Sequence, residues 1–325
     1  RRRRRGRPVN PALQGYLAAM EESLAADGGL ADAGAQLHAF ADVVEGNNAL
    51  LLAVNDGSVP VPARRAVLDQ LLTGKVRPEV GRLVHQAVSV VPAGELVSSF
   101  RWMGSRLTIA AIRPPATAAE PFDEDVLGRL GSLNRVSGYA AAVFESCTVA
   151  ELEEIEDQLF RFARTVEANR RLRHALGDRD LPVVVRQDVI AKLLGGKALA
   201  ATSRLASYAA RGGRPRDIVA TLDTLVEDAA RARGWRVARV SAADAVGDDQ
   251  QRDLGDALAR LTGNPVDLLV TVDPALLGGV VVQVGDLLVD SSTRHRLDEL
   301  KEHVLASEEA YRIPGTPTRR EATDG

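Results

Sequence analysis

The chain repeats itself. Shifted by 122 positions, Leu37–Val88 aligns without a gap on Leu159–Ala210, and 20 of 52 positions are identical. Matches include Phe40 with Phe162, Glu45 with Glu167, Asn47 with Asn169, Asp56 with Asp178 and Pro60 with Pro182. They continue through Arg64 with Arg186, Val67 with Val189, Leu71-Leu72 with Leu193-Leu194, and Gly74-Lys75 with Gly196-Lys197. One residue out of that register, Gly15-Tyr16-Leu17-Ala18-Ala19 resembles Gly138-Tyr139-Ala140-Ala141-Ala142. The period is longer than the ~20–50 residues of a solenoid unit. It describes a duplicated domain of roughly 100 residues.

Each copy reads as helices. In Glu151–Ala168 the apolar residues Leu152, Ile155, Leu159, Phe162, Ala163 and Val166 recur in steps of three and four, which makes one helical stripe. The acids Glu153, Glu154, Glu156 and Asp157 near its start suit the helix dipole and read as a solvated face. A short helix is expected from Asn169 to about Leu176. Asp180-Leu181-Pro182 then reads as a turn with an N-cap before a helix over Val183–Leu194, which Gly195-Gly196 stops. Helices over Ala198–Arg211 and Pro215–Arg233 complete a bundle of five or six.

From Trp235 the period changes. Arg236–Val240, Val266–Val272, Val280–Val284 and Leu287–Val289 read as strands, and Asp248–Leu261 as a helix. Gly285-Asp286 suits a tight turn. Asp290-Ser291-Ser292 offers caps for a last helix over Thr293–Leu305. The expected fold is therefore mainly α: two tandem helical bundles, then a small α/β domain. The boundaries read as a basic segment over 1–12, a first bundle over 13–112, and a Pro-rich, acidic linker over 113–131. A second bundle over 132–233, the α/β domain over 234–305 and a flexible tail over 306–325 follow.

Composition excludes several functions. A net charge of -3 and a pI of about 6.0 lack the basic excess of a dedicated nucleic-acid binder. One cysteine, Cys147, permits neither an internal disulfide nor a cysteine-built zinc site, and it reads as a packed apolar residue. No run approaches the ~18–20 uncharged apolar residues that cross a bilayer. The first residue is not Met, so the sequence is expected to be part of a longer polypeptide.

Catalytic patterns are missing. Gly195-Gly196-Lys197 has Ala191 and Ala198 where a phosphate-binding loop needs Gly and Ser or Thr, so it reads as a helix stop. The histidines at 38, 85, 174, 295 and 303 are scattered, and His295 with His303 lack a third ligand. Ser291 and Ser292 beside His295 lack a nucleophile elbow and read as caps. No catalytic residue, cofactor or metal is expected.

Residues 276–297 carry Gly278-Gly279, Gly285-Asp286, Asp290, Ser292 and Leu297. This pattern resembles the C-terminal signature of the delta subunit of F-type ATP synthases, the oligomycin-sensitivity-conferring protein of mitochondria. Gly138-Tyr139-Ala140-Ala141-Ala142-Val143-Phe144-Glu145 is similar to the family's opening helix. The resemblance covers about Arg135 to Leu305. The extra first copy resembles the fused b-delta subunit of some actinobacteria, where a membrane-anchored b helix precedes an added helical domain.

The resemblance implies a non-catalytic stator component of the peripheral stalk, needed for ATP synthesis driven by proton transport. The implied partners are the N-terminal helices of alpha subunits, b-type stalk helices and other head subunits, with membrane contact through the complex. The implied location is the cytoplasmic face of the cell membrane, peripheral, or anchored by an upstream b segment. Tyr139, Phe144, Leu159 and Phe162 are the candidate partner surface, although each is also a core candidate. Two rival readings remain open. A helical adaptor could use Arg1–Arg5 and Arg7 to bind nucleic acid or acidic lipid. An enzyme would rest on the C-terminal α/β pattern alone.

Overall fold

A computed structural model describes residues 9–112 and 127–290, apart from 235, 263–264, 275, 277 and 285–286. The chain divides into two compact units, one ending at Arg233 and the other starting at Gly234.

Among its described residues the first unit has helices and no strand. Its elements are α1 (Pro11–Ala26), α2 (Leu30–Gly46), α3 (Asn48–Asn55), α4 (Val61–Leu72), α5 (Pro78–Val90) and α6 (Leu96–Ile112). Then follow α7 (Arg129–Phe144), α8 (Val149–Ala168), α9 (Arg170–Gly177), α10 (Val183–Leu194), α11 (Ala200–Gly212) and α12 (Ile218–Ala232). Single 3-10 turns at Ala93–Glu95 and Pro215–Asp217 lead into α6 and α12.

The repeat is written into the backbone. α3, α4 and α5 recur as α9, α10 and α11 at the same spacing of 122 residues and with the same lengths. Asn47 and Asn169 cap equivalent helices through side-chain oxygens, Asn47 to the Leu50 amide at 3.1 Å and Asn169 to those of Arg171 and Leu172 at 3.1 Å. Gly74 and Gly196 take the left-handed conformation, at φ 72° and 70°, that ends α4 and α10. Packing repeats as well: α2 lies on α6 as α8 lies on α12, and α1 meets α5 as α7 meets α11.

The slip by one residue has a local cause. The first copy has one residue more between its Gly-Tyr pair and the gapless stretch. It leaves α1 through Gly28, at φ 72°, with the Asp27 carboxylate accepting from the Gly29 amide at 3.0 Å. The second copy leaves α7 through Glu145–Thr148 with no positive φ and enters α8 by a capping box. In that box Thr148 and Glu151 bond each other's amides.

Two sequence expectations change here. Asp180 does not cap α10: Pro182 holds the cap position without a side-chain bond. It has no side-chain acceptor, and its carbonyl oxygen accepts from the Arg186 amide at 3.2 Å. Glu156 is not on a wet face. It is buried, paired with the equally buried Arg233 at the end of α12. Its neighbours stay outside, where Asp157 pairs with Arg161 at 2.5 Å.

The second unit holds a four-stranded sheet in the order β2-β1-β3-β4, with β1 (Arg236–Ala242), β2 (Val266–Val272), β3 (Val280–Val284) and β4 (Leu287–Asp290). β1 and β2 are parallel, as the intervening α13 (Asp248–Thr262) requires. β3 is antiparallel to both β1 and β4. Ala238, Val240, Leu258 and Val282 form the core, with Leu254, Leu268 and Val270 packed against it. The protein is thus mainly α with a small α/β part. Of the expected linker over 113–131, residues 113–126 lie outside the described residues and 129–131 already belong to α7; the last helix and the tail also lie outside.

Candidate partner-binding surfaces

The closest contact in the helical unit is between the two copies. α1 packs along α7, and the glycines of the two Gly-Tyr pairs permit it. A Cβ on Gly15 would lie 1.8 Å from the Arg135 carbonyl oxygen, and one on Gly138 would lie 1.9 Å from that of Ala12. Neither position tolerates a side chain while the backbones stay in place.

The tyrosines beside those glycines then cross over. Tyr16 donates to the Glu145 carboxylate at 2.5 Å, and Tyr139 donates to that of Glu22 at 2.6 Å. Glu22 and Glu145 are also 123 residues apart, so the seam is a reciprocal, two-fold-like contact. Arg204 lies 3.7 Å from Glu22. Arg82, its equivalent at a spacing of 122, acts electrostatically on Tyr16. Burial first, and then the carboxylate beside each, pushes both phenols well above their ordinary value. Tyr208 stacks on Tyr139 with centroids 3.8 Å apart and planes at 8°. Arg135 is buried under the seam, its Nε donating to the Gly212 carbonyl oxygen at 2.9 Å and its Nη2 to the same atom.

Burial overturns one expectation. Tyr139, Phe144, Leu159 and Phe162 are at most 6% exposed, so their side chains form the core instead of a partner surface. Their helical spacing is equally what an inward-facing stripe requires. Glu22 and Glu145, which tie the seam, were not singled out from sequence. Extending the out-of-register match as far as position 22 would have found them.

The signature residues fall partly outside the described region. Gly278 and Gly279 have φ of 139° and 81°, and the Gly279 carbonyl accepts from the Ala243 amide at 3.3 Å, so both glycines serve the turn into β3. Asp290 ends β4 opposite Val281. Gly285, Asp286, Ser292 and Leu297 lie outside the described residues, though Val284 pairs with Leu287 around the first two. His295, His303 and Ser291 also lie outside. His85 binds Asp69 at 2.6 Å, and the Cys147 thiol donates to the Val143 carbonyl at 3.3 Å. Burial raises the Cys147 pKa, so the thiol is not activated.

Clefts open among the described residues of the helical unit. One, of about 520 Å³, is lined by Leu17, Ala18, Glu21, Trp102, Arg106 and Arg211, and thus draws on both copies. Glu21 is mostly buried, 3.5 Å from Arg106, and burial raises its pKa against the pull of Arg106 and Arg211. Another, of about 400 Å³, surrounds Arg170, Arg173 and His174 on α9. Among the described residues no three metal-ligating side chains converge, and no helix is long and apolar enough to cross a membrane.

The described residues thus form paired helical bundles and a small sheet. Residues 136–304 match the family model of the ATP synthase delta (OSCP) subunit, just over half of the chain, and the chain belongs to that family of F-type peripheral-stalk subunits. It is similar to the ATP synthase subunit delta of Streptomyces avermitilis, 34% identical over 76% of this chain and 83% of the relative. It is similar also to that of Nocardia farcinica, 32% identical over 83% and 88%. With that of Corynebacterium urealyticum it is 31% identical over 87% and 92%. The last two alignments, over 271 and 283 residues, are too long to fit without the first helical copy. At least part of that copy is therefore shared with relatives named delta.

Proposed function

We propose that the chain is a non-catalytic stator subunit, tethering the catalytic head of a rotary ATP synthase to its membrane sector so that rotor torque drives synthesis. Family membership is the observation that carries this reading. The seam supports it. A tether under torque needs its modules locked together, and close backbone packing with reciprocal charge-assisted bonds does that without a flexible hinge.

The partners in this reading are N-terminal helices of alpha subunits and b-type stalk helices, met by helix-in-groove contacts. The cleft between α1 and α6 is a better docking place than the buried aromatics. It has a half-buried Trp102 beside charges that would orient a partner helix. In this reading the chain works at the cytoplasmic face of the membrane. A b-type anchor, on this polypeptide as a b-delta fusion or on another, supplies the membrane end.

The test is calorimetry of the whole chain against a synthetic alpha-subunit N-terminal helix. Splitting the chain between the copies would strip α7 from α1 and expose the seam, so halves are unsuitable. Saturable binding of one or two helices, lost on Trp102→Glu, supports the reading. A folded chain that binds none, and that fails to restore coupled synthesis to stalk-depleted membranes, sinks it.

A further inference from the structure

We propose that α9 is a docking face for an acidic amphipathic helix of a partner protein, a role the first copy does not share. The two copies diverge in charge here. Residues 170–180 hold four arginines and two aspartates, whereas the equivalent 48–58 hold no cation and one aspartate. The backbones match: two eight-residue helices, each begun by an asparagine cap. One helix exposes Leu52 and the other exposes Arg170, Arg171, Arg173 and His174. A scaffold kept while its surface chemistry changes indicates that the surface has work of its own.

The geometry selects the occupant. Arg170, Arg173, His174 and Gly177 recur in steps of three and four, so they share one face of α9 and line one open cleft. Gly177 keeps that face low: a Cβ there would meet only the Pro215 carbonyl, at 3.7 Å. The Arg173 guanidinium is held by its Nη1, which donates to the Glu167 carbonyl at 2.8 Å, so part of its ordering cost is already met. Two turns of cations match two turns of carboxylates on a facing helix, with Arg forks receiving them. Asp178 also lines the cleft, and Asp180 lies close by in sequence. Those acids interrupt the basic stripe. A polyphosphate backbone or an anionic bilayer would meet them as repulsion, while a partner helix can place a cation or an amide opposite.

The inference stands on α9 itself and holds whichever complex the chain joins. The probe is a helical peptide carrying glutamates in steps of three and four, with its glutamine counterpart and a lysine-substituted version. Binding to the whole chain is read by fluorescence anisotropy at low and at physiological salt. The paired variant Arg170→Glu with Arg173→Glu is expected to weaken glutamate-peptide binding by about tenfold or more and to gain affinity for the lysine peptide. Arg161→Glu with Arg231→Glu makes the same charge change at two exposed sites elsewhere on the unit, and is expected to leave binding unchanged. Arg170→Gln alone serves if the pair disturbs folding. Equal losses in the control pair, or no reversal with the lysine peptide, overturn the proposal. So does binding to vesicles containing anionic lipid, or to inorganic phosphate, that needs Arg170 and Arg173 while the peptide does not.

Discussion

Tyr16 donates its phenolic hydrogen to Glu145, 129 residues away and in the other copy of the repeat. Tyr139 does the same to Glu22, so each copy supplies one donor and one acceptor to the same seam. A hydrogen bond to a charged acceptor contributes about 1.5–3 kcal/mol, and the exposure of Glu22 and Glu145 lowers that. Tyr16→Phe and Tyr139→Phe are each expected to destabilise the chain by about 1–2 kcal/mol in denaturant unfolding. The double variant should come close to the sum, because the two bonds use different partners. In a cycle with Glu145→Gln, coupling should be found with Tyr16 and not with Tyr139.

The same bonds set an alkaline limit. Tyr16, Tyr139 and Tyr208 are all raised above the ordinary phenol value near ~10 by burial. As pH rises past ~10 the unfolded chain releases these protons while the folded chain keeps them. The folded state then binds more protons, so stability is complete below pH ~10 and falls as pH rises above it. Unfolding free energy measured at pH ~9, ~10 and ~11 should therefore fall. The fall should be shallower in Tyr16→Phe with Tyr139→Phe, which removes two of the three groups.

Gly15 and Gly138 are expected to be intolerant for a different reason. A methyl group at either would overlap a carbonyl of the opposite helix, so α1 and α7 must separate along their length. The overpacking cost should be at least about 1–3 kcal/mol. The lost seam bonds would add to it. Gly81→Ala is the control, since a Cβ there meets nothing within 4 Å, and it should be neutral or stabilising through helix propensity. A melt of Gly15→Ala within a degree or two of wild type would refute the seam.

Most element boundaries were legible because they rest on local chemistry. Pro60 and Pro182, Gly74 and Gly196, and Asn47 and Asn169 punctuate both copies, and helix starts and stops need only such neighbours. The strands at 266–272 and 280–284 were legible from short runs rich in Val and Leu. What the sequence hid was pairing. The stripe through Leu159 and Phe162 has the same period whether it faces a core or a partner, and only the three-dimensional packing of α8 on α12 decides. Glu156 looked like one acid among four because its partner, Arg233, lies 77 residues on. The divergence at α9 was visible in the repeat alignment as a change of charge, from Asn48-Ala49 and Leu51-Leu52 to Arg170-Arg171 and Arg173-His174, but it carries no meaning until both helices are seen to keep one backbone.

Arg135 has 1% of its surface exposed, and its Nε and Nη2 both donate to the Gly212 carbonyl oxygen at the end of α11. A cation there also meets the negative end of that helix. Arg135→Ala should cost about 3 kcal/mol or more, combining a cavity with an acceptor left unsatisfied. Arg135→Lys should rescue little. An ammonium on a flexible stem cannot place two parallel donors on one oxygen as the guanidinium fork does. Equal stability of the lysine variant and wild type in urea unfolding would show that charge alone matters at this position.

The Glu156–Arg233 pair ties the middle of α8 to the last turn of α12, both side chains 5–6% exposed. A buried pair gains little over an apolar substitute, but breaking it strands a charge. Glu156→Ala and Arg233→Ala should therefore each cost about 3–5 kcal/mol, while Glu156→Leu with Arg233→Met should recover most of the loss. The second copy should feel this selectively, because the equivalent positions in the first are Gly34 and Ala111 and hold no ion pair. Gly34 instead lets α2 approach α6 closely: a Cβ on it would lie 2.6 Å from the Thr108 hydroxyl oxygen. Hydrogen exchange is the measurement that separates the copies. In Glu156→Ala, amides of α8 and α12 should exchange faster while those of α2 and α6 keep their protection; uniform loss across all four helices would mean that the two bundles unfold as one.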